Sequence, residues 1–92
     1  MVKGFRGADT QALFETGKSK LFSNIAKIAA RKLAQLDAAN TLDFLRSPPG
    51  NRLKALAGDR KGQYSIRVND QFRLCFRWTI EGPIDIEIVD YR

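Results

Sequence analysis

Residues 62–92, GQYSIRVNDQFRLCFRWTIEGPIDIEIVDYR, contain three runs of period two, which constrain the fold more than any other feature of the chain. In 64–68, Tyr64, Ile66 and Val68 alternate with Ser65 and Arg67, so alternate side chains fall on opposite faces of a strand. Phe72, Leu74, Phe76 and Trp78 repeat the pattern against Arg73, Cys75 and Arg77. Ile84, Ile86 and Ile88 supply a third apolar row against Asp85, Glu87 and Val89. Asn69-Asp70-Gln71 and Glu81-Gly82-Pro83 break the runs with turn residues, and runs this close in sequence pair antiparallel. The expectation is a meander with one apolar and one charged face.

A chain of 92 residues holds one core, so the reading is a single domain over 1–92 without a separate cofactor domain. No apolar run approaches the roughly 20 residues that span a bilayer. Residues 1–6 do not read as a signal peptide, since Lys3 and Arg6 bracket only Gly4 and Phe5. These features predict a cytoplasmic protein with no membrane partner. The lone Cys75 excludes an internal disulfide and reads as a small residue filling a strand position. No histidine occurs, which removes most zinc sites and Ser-His-Asp triads; neither metal nor cofactor is expected. Segment 46–77 holds eight basic residues against two acidic ones, an excess equal to the +6 of the whole chain. Basic charge concentrated in this way points to a polyanion, nucleic acid before membrane.

Before the sheet, helical periodicity predicts two helices. Asp9 is placed to cap 11–16 and Gly17 to end that helix in the left-handed conformation. The second runs from Leu21 or Ser23 to Ala39, with Phe22, Ile25, Ile28, Ala29, Leu33 and Leu36 on one face. Thr41 is expected to cap one more turn over 42–46, after which Pro48-Pro49-Gly50 disfavours helix and sheet alike. Residues 51–56 read as either helix or strand and lead into the basic loop 57–62. Residues 2–6 are a candidate edge strand. The fold class is α+β: a small antiparallel or mixed sheet with two N-terminal helices packed on one face.

On the charged face, Arg73 and Arg77 beside Ser65 and Arg67 have the chemistry of a phosphate cradle, because a guanidinium holds two phosphate oxygens and stays ionised. The same arginines are equally placed to pair across strands with Asp85 and Glu87, and Arg77 suits that structural role better.

The ordered series Leu56, Gly58-Asp59-Arg60, Gly62, Tyr64-Ser65-Ile66-Arg67-Val68-Asn69, Phe72-Arg73-Leu74, Phe76 and Trp78, followed by Asp90-Tyr91, resembles the HigB toxins, the plasmid maintenance killer branch of the RelE/ParE superfamily. Phe5, Ala8-Asp9, Leu13-Phe14, Lys32-Leu33 and the segment 46–53 extend the likeness almost end to end. The resemblance implies a toxin that enters the ribosomal A site and cuts mRNA without a metal. Arg73 matches the phosphate-stabilising arginine of the family, Asp90 and Tyr91 its C-terminal functional pair, and Lys54 stands where some relatives carry histidine. Relatives commonly end in Asp-Tyr-His, whereas Arg92 is the last residue here and a guanidinium cannot serve as a base at neutral pH. Lys54 or Asp90 then takes the base or acid role, or the toxin is attenuated. Arg52, Arg60, Lys61, Arg67 and Arg92 are the expected contacts to RNA and ribosome. The implied partner is a HigA-type helix-turn-helix antitoxin, through which alone operator DNA would be reached. Other readings are a ParE-like inhibitor of DNA gyrase and a non-catalytic module that binds RNA or antitoxin.

Overall fold

The computed structural model describes residues 1–47 and 49–91. Pro48, read as part of a turn, and Arg92, read as an RNA contact, lie outside the described residues. Two helices, α1 (Ala8–Thr16) and α2 (Ala26–Ala38), precede four strands, β1 (Lys54–Ala55), β2 (Tyr64–Arg67), β3 (Phe72–Thr79) and β4 (Gly82–Asp90). The strands pair antiparallel in the order β1-β2-β3-β4, the meander that the period of two predicts. Both helices pack on its apolar face. Leu13 of α1 and Ala29, Leu33 and Leu36 of α2 meet Ile66, Leu74, Phe76 and Ile86 in one core, each at most 1% exposed. Burial of each large aliphatic side chain contributes about 1.5–3 kcal/mol, so this layer dominates the favourable side of folding.

The boundaries differ from the sequence reading in ways that have local causes. Helix α1 starts at Ala8 with Gly7 as N-cap and no side-chain cap bond; Asp9 lies inside the first turn, where its charge favours the helix dipole without capping. Gly17 ends α1 as expected, at φ 76°, its N–H donating to the Leu13 carbonyl. Ser23–Ile25 form a 3-10 turn, so the α-helical part of the second helix begins only at Ala26. Thr41 caps Leu42–Arg46 by accepting from Phe44 N–H, and that turn too is 3-10. Pro49–Asn51 form a further 3-10 turn, with proline at the first position, where a backbone N–H is not needed. Of 51–56, only Lys54–Ala55 pair, opposite Ser65 and Tyr64.

Two features bear on the sheet's ends. Residues 2–6 do not form a full edge strand; they meet β4 through one parallel bridge, Phe5 with Ile86, and through Lys3 N–H to the Pro83 carbonyl. Gly82 is required there, because a Cβ on it would lie 2.2 Å from the Met1 carbonyl oxygen. In β4 the register shifts: two steps along β3, Cys75 to Arg77, match three along β4, Glu87 to Ile84. Asp85 takes up the extra residue at φ 52°. This bulge sets Ile84 opposite Arg77, so the expected row of three isoleucines keeps only Ile86 and Ile88 in the core.

Candidate functional site

The other face of the sheet is charged but not uniformly open. Ser65 and Cys75, which stand in its row, are both fully buried. Gly58–Arg60 form a 3-10 turn beside them, and Arg60 donates from Nη1 to Glu87 at 2.9 Å and to Gln63 at 3.1 Å. Glu87 is the cross-strand neighbour of Cys75, so Arg60 is drawn inward over the thiol. The hydrogen bond to Glu87 holds the Arg60 proton more tightly, and burial pushes the Cys75 thiol up, against the pull of Arg60 and Arg73.

Beside this covered patch the meander gathers Lys54, Arg73 and Tyr91. Arg73 stands on β3 opposite Arg67 on one side and Val89 on the other. Its Nε donates to Ser65 Oγ at 2.8 Å and its Nη2 to the Arg52 carbonyl at 2.8 Å. The guanidinium carbon lies 5.3 Å from the centre of the Tyr91 ring, and Lys54 Nζ lies 5.8 Å from the same centre. Two cations on one aromatic ring are favoured by its negative face. The turn between β2 and β3 fixes the end of β4: Asn69 Oδ1 accepts from the N–H groups of Gln71 and Phe72, Tyr91 N–H donates to the Gln71 carbonyl at 2.7 Å, and Gln71 Nε2 donates to Asp90 Oδ2 at 2.9 Å. Lys54, Ala55, Leu56, Ala57, Asp59, Arg60 and Tyr91 line a cleft of about 400 Å³. A larger hollow of about 750 Å³ at Asp9, Lys18 and Lys20 shares none of these residues; the smaller cleft is the one that meets the clustered polar groups.

The remaining singled-out residues are distributed around this centre. Arg67 pairs with Asp70. Arg52 is exposed and takes a left-handed backbone, φ 47°, contributing its carbonyl to Arg73. Lys61 is exposed on the loop, unlike inward-facing Arg60. Arg77 pairs with Asp85 at 3.4 Å and Glu87 with Arg60, so both cross-strand carboxylates are engaged by arginines other than Arg73. Sequence reasoning missed Asn51, Lys32 and Gln35. Asn51 is fully buried, accepting from Lys32 Nζ and donating to Gln35 Oε1 at 3.1 Å and to the Leu45 carbonyl at 3.2 Å. Burial first, then Arg31 and Arg67, lowers the Lys32 amine below its ordinary value. An asparagine after Pro-Pro-Gly reads as a turn residue, and a lysine beside Leu33 reads as a solvated helix position; neither carries a sign of this network.

Known proteins match over most of this architecture. The sequence profile of the HigB-like toxins, described as the RelE-like toxin of the type II toxin-antitoxin system HigB, matches residues 3–92. The chain belongs to the HigB-like toxin family. Toxin HigB-1 of Vibrio cholerae serotype O1 is 54% identical over 56 residues, 61% of this chain and 59% of that protein. An uncharacterized protein of Haemophilus influenzae is 45% identical over 60 residues, 65% of this chain and 59% of its own. The chain thus spans about three fifths of the length of the curated relatives it matches. In this member of the family one meander and two helices carry both the core and the cationic face.

Proposed function

We propose that this HigB-like toxin is a ribosome-dependent, metal-independent mRNA endonuclease. The observation that carries the reading is the doubly anchored Arg73 guanidinium against Tyr91 and Lys54. Ser65 and Arg52 occupy Arg73 through Nε and Nη2; among the described residues no hydrogen bond takes Nη1, the side proposed to meet a phosphate. In the proposed reaction the ribose 2′-oxygen attacks the adjacent phosphorus, the P–O5′ bond breaks, and the products are a 2′,3′-cyclic phosphate and a 5′-hydroxyl. A base takes the 2′-proton and an acid returns one to the leaving 5′-oxygen. Arg73 stabilises the added negative charge on the phosphorane, the kind of preorganised contact that gives the largest single effect on such a barrier. Lys54 and Asp90 share the proton transfers, and Tyr91 holds the cations and offers a ring to the base of the codon. Arg52, Lys61, Arg67 and Arg92 contact the RNA backbone.

The partner in this reading is a small HigA-type antitoxin that binds operator DNA and keeps the toxin from the ribosome. Purified ribosomes programmed with mRNA and followed by primer extension test the central claim. Cuts inside the A-site codon that require both ribosome and toxin are expected. Intact mRNA at stoichiometric toxin, or cutting that proceeds equally without the ribosome, overturns it.

A further inference from the structure

Asn51 is a primary amide with no exposed surface, and such a group is stable inside a protein only when its hydrogen bonds are met. Here they are met by two elements of the helical layer: Lys32 and Gln35 on α2, and Leu45 in the turn after it. The neighbouring Arg52 has φ 47°, a conformation that a non-glycine residue keeps only where its surroundings over-determine it. The carbonyl so oriented is the one that receives Arg73 Nη2 at 2.8 Å. The network therefore runs from α2, on the apolar side of the sheet, through the Asn51 side chain and the Arg52 peptide to the guanidinium on the charged side.

We infer that Asn51 is a positioning residue for Arg73: it fixes the left-handed Arg52 backbone, and through it the Nη2 anchor that aims the guanidinium. The proposed benefit to cleavage rests on the endonuclease reading; the aiming itself does not. Without the amide network the Arg52 peptide relaxes, and of the two hydrogen bonds Arg73 keeps the one to Ser65, about which it swings beside the Tyr91 ring. A misplacement of about 1 Å at a reacting centre is enough to lower a rate by about 100-fold.

Asn51→Asp keeps the volume and the acceptor for Lys32 while removing both amide donations. Gln35→Ala removes one acceptor at a half-buried position and serves as the milder variant should Asn51→Asp fail to fold. Nitrogen-15 NMR of the Arg73 side chain reads the position directly. Slow rotation about Cζ–Nε, with separate Nη1 and Nη2 signals, is expected in the unmodified toxin, and merged signals in the variants. Unchanged rotation in a folded variant overturns the inference whether or not the toxin cuts RNA. On programmed ribosomes, single-turnover cleavage should fall about 10- to 100-fold in Asn51→Asp with affinity held within about twofold. Adding Asn51→Asp to Arg73→Ala should lower the rate no further, because the aimed group is gone. Multiplying losses would mean that Asn51 acts through overall stability and would overturn the positioning role. Absence of cleavage by the unmodified toxin would overturn the endonuclease reading alone, the NMR result still deciding the aiming.

Discussion

At the scale of single residues, the arginines that look alike in sequence divide by what holds them. Arg77 goes to Asp85 and Arg60 to Glu87, whereas Arg73 is held by a hydroxyl and a peptide carbonyl, neutral acceptors, with no carboxylate pair among the described residues. Arg73→Ala should accordingly spare the fold and, under the endonuclease reading, slow cleavage by on the order of 10²–10³. Single-turnover kinetics and a melting curve on one preparation check it; an unchanged rate argues against the role. Adjacent Arg60 and Lys61 should part company. Loss of the Arg60–Glu87 pair should cost about 1 kcal/mol, discounted for its partial exposure. Lys61→Ala should leave melting unchanged and, if Lys61 meets a phosphate, lower the slope of log affinity against log salt by about 0.7–0.9. Alternation placed Arg60 nowhere in particular, since the loop has no period; its inward turn follows from Glu87, which lies 27 residues away in sequence.

At the scale of elements, α1 is tied to the sheet by a hydrogen bond as well as by Leu13. Thr10, 2% exposed, accepts from the Ile88 N–H at 2.9 Å through Oγ1. Thr10→Val keeps the shape and strands a buried donor, and should cost about 1–3 kcal/mol in a urea titration. A loss near zero would mean that Ile88 N–H finds another partner. The same comparison of elements shows what a single sequence can carry. The meander was legible because period two survives burial, and α2 because Ala29, Leu33 and Leu36 recur on one face. Helix starts were less legible, because Gly7 caps α1 with backbone alone and no side chain marks the place. The bulge was hidden for a different reason: Ile84 reads as the third of a row, and only the pairing with β3 reveals the extra residue at Asp85. For the candidate site, Arg73 could be placed on a charged face from alternation and Lys54 stands out through the family resemblance alone, but Arg52 acts by its carbonyl and Asn51 by a buried amide, and neither role follows a sequence period.

At the scale of the whole molecule, the sheet separates an uncharged interior from a basic exterior, with Cys75 buried on the basic side. Its thiol ionises near 9.0 when exposed and higher in the folded protein, so the folded state retains the proton longer. That contribution to stability is complete below 9.0 and is lost as pH rises towards the raised folded value. Lys32, whose folded value is depressed, works in the opposite sense below its ordinary 10.5. Comparison with Cys75→Ala isolates the thiol: urea midpoints of the two proteins should converge or reverse order as pH is raised from about 7.5 to about 10. A constant difference across that range would show that Cys75 is not coupled to folding. The two-residue β1 has a consequence of another kind. It forms an outer margin of the sheet and carries Lys54 there, and a short margin bearing lysine is how β proteins resist joining sheet to sheet and polymerising. Lys54 thus stands both at this margin and in the cleft. Lys54→Val should increase light scattering with protein concentration, and Lys54→Arg should not, so an inactive valine variant has to be shown monomeric before its silence is ascribed to chemistry.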